Sequence, residues 1–151
     1  MSLQSTICSL NRGLSSIGAW LSLLGLRLLL AWEFFWPGIG KLQQGVSSFT
    51  DYDFPFPFNV LPVAVNWFLA TWVEILGALG LALGLGTRFW AAGLIILDAV
   101  AWASVHADNG YNVCGNGYKL PLIFMVMLVP LLLSGAGKFR IDHIIAGRDR
   151  R

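Results

Sequence analysis

Four long apolar runs alternate along the chain with short stretches rich in Gly, Pro, Asn and charge. About 20 apolar residues suffice for a helix to cross the roughly 30 Å hydrocarbon layer of a bilayer. The first run covers 15–36 and is expected to close at Pro37-Gly38. The second, 62–85, opens on Pro62, a residue suited to a first helical turn, and stops at Gly86. The third, 89–106, follows after a turn of a few residues. The fourth, 120–134, has Pro121 at its start and Gly135-Ala136-Gly137 at its end; it is short, and Pro130 is expected to kink it. No internal repeat or low-complexity segment interrupts the pattern. It predicts an all-α integral membrane four-helix bundle, a single domain over 1–151.

Composition narrows this further. Only 12% of the 151 residues are charged and 56% are hydrophobic, with a mean hydropathy of +0.68. A soluble domain carries about 25% charged residues, so a soluble enzyme, a nucleic-acid binder and a disordered chain are all excluded. The first run is too long for a signal-peptide core and contains Arg27 and Glu33, with no small-x-small cleavage site after it. It is read as a retained span.

The net charge of +2 matters less than where the basic residues fall. Arg12, Arg88, Lys138, Arg140, Arg148, Arg150 and Arg151 lie on one side of the predicted spans, and Lys41 and Lys119 on the other. Cytoplasmic loops carry the excess of Lys and Arg. The asymmetry predicts a multi-pass protein of a bacterial inner membrane with both termini, and the basic tail 136–151, in the cytoplasm. Within that tail, the apolar positions of 139–145 suit a short surface helix or a frayed basic end. The first outward loop carries Phe49, Tyr52, Phe54, Phe56 and Phe58 among prolines, suiting an interfacial anchor or a lid over an outward cavity. Small residues for close helix packing stand at Gly18, Ser22 and Gly25, at Gly77, Gly80 and Gly84, and at Ala91, Ala92, Ala99 and Ala103. The Gly80–Gly84 GxxxG is read as packing within the bundle, with a homo-oligomer face as the alternative.

The informative residues are those that are expensive in lipid. An ionisable group at the bilayer centre costs about 2.5–3.5 kcal/mol on insertion scales. Arg27, Glu74 and Asp98 each fall near the middle of a predicted span. The expectation is an intramembrane polar cluster in which Arg27 pairs with Glu74 and Asp98 shares the pair, either as a structural lock or as a polar site at the midplane. With one cation against two acids, that cluster holds a spare carboxylate, which is protonated or faces a bound cation. Glu33, Lys41 and His106 fall further outward, and Asp98, Trp102 and His106 recur at i, i+4, i+8. Glu33, Lys41, Trp102 and His106 are therefore candidates to line an outward-facing cavity, with Lys41 at its rim drawing in anionic or quinonoid groups.

Several chemistries are set aside. His106 and His143 stand a membrane apart on this topology, so no bis-histidine haem is expected. Cys8 and Cys114 are likewise on opposite sides and form no thiol pair. No Walker, Rossmann or HExxH pattern occurs. Glu33, His106 and Cys114 have the donor types for a borderline metal but no signature spacing.

At these residues the chain resembles the DoxX family of small four-span membrane proteins. The matching stretches run from Gly25-Leu26-Arg27 through Gly38-Ile39-Gly40-Lys41-Leu42, and from Glu74-Ile75-Leu76-Gly77-Ala78-Leu79-Gly80 through Gly84-Leu85-Gly86-Thr87-Arg88. His106, Gly135-Ala136-Gly137 and Asp142 also fit, so the likeness covers roughly residues 20–145. It implies a membrane bundle linked to thiosulfate:quinone oxidoreductases, to oxidative-stress assemblies or to operons making copper-binding modified peptides. The long first loop and the hairpin Asn112-Val113-Cys114-Gly115-Asn116-Gly117 look closer to the last group than to the oxidoreductase subunits. Two functions follow as expectations. One is an accessory membrane subunit of a redox, quinone-linked or metal-stress system, with membrane or periplasmic protein partners. The other is a non-catalytic scaffold or small-solute carrier.

Overall fold

A computed structural model describes residues 3–136, with side chains from Leu21 onward. The predicted surface helix over 139–145, the charges of the basic tail beyond Ala136, and the side chains of Cys8 and Arg12 lie outside the described residues. The described chain is helical, with no strand. Helix α1 spans Leu3–Gln44, α2 Val63–Leu83, α3 Thr87–Ala101 and α4 Lys119–Ser134. Segments of α1 (Leu21–Gln44), α2 (Val63–Leu83) and α3 with its extension (Thr87–Asn109) are long and apolar enough to cross a membrane. At 16 residues, α4 is about 24 Å long, shorter than the hydrocarbon layer.

The first helix does not stop at Pro37-Gly38. It runs on to Gln44 with Pro37 inside it, because a proline costs one backbone hydrogen bond and tertiary contact makes good the loss. That contact is Gly38. A Cβ there would meet Ile75 Cγ1 at 2.8 Å and Glu74 Cβ at 3.1 Å. The glycine is a point of close helix approach, and α1 continues because α2 lies against it.

At the end of α2, Gly84 adopts the left-handed conformation (φ 71°). Leu85 N–H donates to Gly80 O and Gly84 N–H to Leu81 O, the paired bonds of a Schellman stop. The turn of 84–86 sends α3 back along α2, with Trp90 against Gly80 and Leu94 against Gly77. Helix α4 packs against α3, and α1 chiefly against α2.

The connection 84–86 marks one end of the bundle, here the turn end. The two longer connections, 45–62 and 110–118, mark the loop end. Leu30, Ala31 and Phe34 of α1, Ala78 and Leu81 of α2, Ala91 and Leu94 of α3, and Leu128 and Leu131 of α4 form one buried core. All four helices contribute, and all at the level nearer the turn end. The loop-end half is not filled in this way.

Candidate functional site

The unfilled half holds a cavity of about 540 Å³ between α1, α2 and α3. Its apolar wall comes from Leu69, Ala70 and Val73 of α2 and from Gly93, Leu97 and Ala101 of α3. Side chains of the 45–62 connection cover it: Phe49, Tyr52, Phe54 and Phe58. Phe49 stacks on Phe54 at 5.9 Å between ring centroids and meets Tyr52 edge-on at 5.7 Å. Asn66 Nδ2 ties this cover to α2 by donating to Phe58 O at 2.9 Å. The aromatic loop is thus a cover over a cavity, while Phe56 is 80% exposed and takes no part in it.

The polar wall is an ion pair. Lys41 Nζ donates to both Glu74 oxygens, at 2.6 and 2.7 Å, with Glu74 3% exposed. The continuation of α1 past Pro37 produces it. Gly38 presses the helix onto Glu74, and Lys41, one turn later on the same face, reaches the carboxylate. Trp67 Nε1 fixes the backbone there, donating to Lys41 O at 3.0 Å. Stepping along α3 from Trp90 and Leu94 brings Asp98 opposite Glu74, within electrostatic reach of both Glu74 and Lys41. Asp98 is 5% exposed, and its Oδ2 has no hydrogen-bond partner among the described residues.

Arg27 does not join this group. Its Nε donates to Leu81 O at 2.8 Å, Nη2 to Ala82 O at 3.1 Å and Nη1 to Ala136 O at 2.9 Å. The expected Arg27–Glu74 pair is corrected: the guanidinium caps the C-terminal carbonyls of α2 and the chain just after α4. A first span of 15–36 puts Arg27 near mid-span. Helix α1 instead runs on to Gln44, and the partners of Arg27 lie at the turn end. Arg88 acts similarly there, donating from Nη2 to Leu133 O at 2.9 Å.

The expected outward mouth is also redrawn. His106 lines the cavity and Lys41 stands in its wall, but Glu33 is exposed and Trp102 lies outside the lining. The stripe of Asp98, Trp102 and His106 is broken between its last two members, where residues Trp102–His106 form a π turn, not an α turn. The wider turn changes the phase of the side chains. Trp102 instead stacks on Tyr118 at 4.9 Å, and His106 Nδ1 meets Asn116 O at 2.7 Å. A carbonyl only accepts, so Nδ1 carries the proton and a neutral ring leaves Nε2 as an acceptor. Among the described residues no His, Cys, Asp and Glu gather into a metal-binding group, and Cys114 is exposed.

Asn66 and Ser104 were not singled out by the sequence, although both line the cavity. A polar side chain inside an apolar run was the available signal, and Asn66 carries it.

The family model for DoxX matches residues 22–107, which takes in α2, α3, the Lys41–Glu74 pair and His106. The chain belongs to the DoxX family. A relative in Haemophilus influenzae, described as an uncharacterized protein, is 49% identical over 134 residues, covering 87% of this chain and 88% of the relative. No solved structure matches the chain. Family membership and the apolar helices make this a membrane protein in contact with the lipid bilayer.

Proposed function

We propose that this DoxX protein is an accessory membrane subunit that holds a small, largely apolar molecule with a polar head, of which a quinone is an example, for a redox or metal-stress system. The observation that supports this reading is the cavity: about 540 Å³, apolar and aromatic over most of its wall, with one ion pair set into it. Ligand sites have this character, at about 300–1,000 Å³ with a few placed polar groups. The basic asymmetry of the sequence supports an inner-membrane location with the loop end facing the periplasm. Partner proteins would then meet the cover and the 110–118 hairpin.

Titrating decylubiquinone into the protein in nanodiscs, read by tryptophan fluorescence, tests the binding. Saturable quenching is expected, with Ala101→Leu weakening it about tenfold by filling the cavity, while the thermal transition stays in place. Unchanged affinity in that variant would remove the cavity from the account. The exposed Cys114 tests the orientation: a membrane-impermeant maleimide is expected to label it from the periplasm, and labelling only from the cytoplasm would invert the topology.

A further inference from the structure

One acidic side chain in the spans faces away from the bundle. Glu33 is exposed on α1, and the salt bridge among the described residues joins Lys41 to Glu74, so Glu33 has no cation there. Its depth follows from Arg27, which donates to carbonyls where α2 ends and to the chain just past α4. Glu33 lies six residues further along α1, about 9 Å inward from that level. The next residue, Phe34, meets Phe124, which is ten residues before the end of α4 at Ser134. The 21 residues of α2 make about 31 Å, close to the thickness of the hydrocarbon layer, so the end of α2 marks one edge of that layer. Glutamate is too short to reach water across such a distance, and only long Lys and Arg chains snorkel in this way. An acid left facing lipid at this depth is costly.

The surroundings of Glu33 are those of a packing face. Gly25, Leu29, Glu33 and Trp36 recur at i, i+4, i+8 and i+11 on one side of α1. Leu29, Trp36 and the adjacent Trp32 are all exposed. Lipid-facing tryptophans gather at the headgroup level, whereas Trp36 stands about 13.5 Å inward from Arg27. A Cβ at Gly25 would meet nothing within 4 Å among the described residues, while Gly77 and Gly80 are covered by Leu94 and Trp90. The close helix approach that a small residue permits is used by those two glycines and left open at Gly25.

We infer that this face of α1 docks a transmembrane helix of another protein, and that the docked helix carries a lysine or arginine at the depth of Glu33. Charge complementarity sets the chemistry of the partner, because a cation at that depth removes the cost of the acid and fixes the register of the two helices. A second copy of this chain does not supply the cation. A symmetric dimer joins the same patch on both copies, which sets Glu33 against Glu33. The cations on either side of that depth are already engaged, Arg27 by backbone carbonyls and Lys41 by Glu74. Trp32 and Trp36, edge to face at 5.5 Å, flank the acid and would shield the new pair, as aromatic anchors do at interface centres. The inference goes beyond the proposed function. None of Gly25, Leu29, Glu33 and Trp36 lines the cavity, so docking and ligand binding are tested apart.

The test uses the full chain in nanodiscs and two synthetic transmembrane peptides of Leu and Ala, each about 20 residues long and labelled with dansyl. They differ at one position about 9 Å from an end, which holds lysine in one and leucine in the other. Energy transfer from tryptophan to dansyl reads association. The lysine peptide is expected to associate with the wild type about tenfold more tightly than the leucine peptide. Glu33→Gln, at an exposed position, is expected to erase that difference while its chromatographic profile stays the same. If that variant does not fold, the comparison of the two peptides on the wild type still decides. Equal association of both peptides with the wild type, or a lysine preference that survives Glu33→Gln, overturns the inference. Co-capture of two differently tagged wild-type copies that Glu33→Gln abolishes would give the face to a second copy and overturn it as well. Decylubiquinone titration of the same nanodiscs reads the cavity separately, so either result can fail while the other stands.

Discussion

At the turn end of the bundle, Arg27 donates its guanidinium hydrogens to carbonyls of α2 and to Ala136 O. At the loop end, Lys41 places its ammonium between the oxygens of Glu74. Both cations sit on α1, and both are held away from lipid. The acceptors for Arg27 are backbone carbonyls, Leu81 O (which also takes the Gly84 N–H), Ala82 O and Ala136 O, at helix ends that carry only the partial charge of the helix dipole. That pairing locks α1 to α2 and to the chain after α4, and it surrounds itself with packed core. The acceptor for Lys41 is a full charge, with a second carboxylate close by and a cavity alongside. A cation matched to backbone builds structure, whereas one matched to side chains leaves a polar face that chemistry can use.

The largest effect is expected from breaking the second pairing. Lys41→Met leaves Glu74 buried beside Asp98 without its cation, and removing one partner of a buried pair costs about 3–5 kcal/mol. Thermal stability measured by fluorescence-detected size exclusion should fall accordingly. Adding Glu74→Leu should recover most of the loss, since apolar groups can replace a buried ion pair at little cost. No such rescue exists at the other end. Arg27→Leu removes the guanidinium from Ala82 O and Ala136 O, a buried carbonyl left unsatisfied costs about 1–3 kcal/mol, and Glu74→Leu should leave that deficit unchanged. If Glu74→Leu did restore Arg27→Leu, the two cations would belong to one network and the contrast would fail. Arg27→Lys should also stay destabilised, because an ammonium lacks the planar fork that serves three carbonyls.

A smaller effect, on position more than stability, is expected at Gly38. Gly38→Ala sets a methyl group 2.8 Å from Ile75 Cγ1, and overpacking of this kind costs about 1–3 kcal/mol. The shift falls where α1 carries Lys41 onto Glu74. Ligand affinity should therefore drop in a variant that still runs as a monodisperse peak. Unchanged affinity would show that the pair tolerates a displaced α1.

The helices and their number were legible because apolar length and glycine or proline punctuation act locally. The set of buried charges was legible too, since their cost in lipid does not depend on their partners. The pairing was not. It turned on whether Pro37 ends a helix, and that is decided by the close approach of Gly38 to Ile75, a contact far apart in sequence. Continuing α1 by two turns moved Lys41 onto Glu74. Likewise, Glu33 and Trp102 were assigned to the cavity by helical counting. Between Trp102 and His106 that counting breaks down because the period changes there. Asn66 was passed over because one amide in an apolar run carries no spacing to argue from.

That change of period has a consequence for how the chain tolerates length changes. A π turn accommodates one residue more than an α turn over the same rise, so the segment Trp102–His106 is equivalent to a single insertion in an otherwise regular helix. Each residue advances an α-helix by about 100°. Deleting one residue from this segment would restore a plain helix and swing everything after it by roughly that angle. His106 would turn away from the cavity, and Asn116 O would lose its bond to the imidazole. The histidine's place in the site is thus held by reading frame within the helix as much as by the side chain itself.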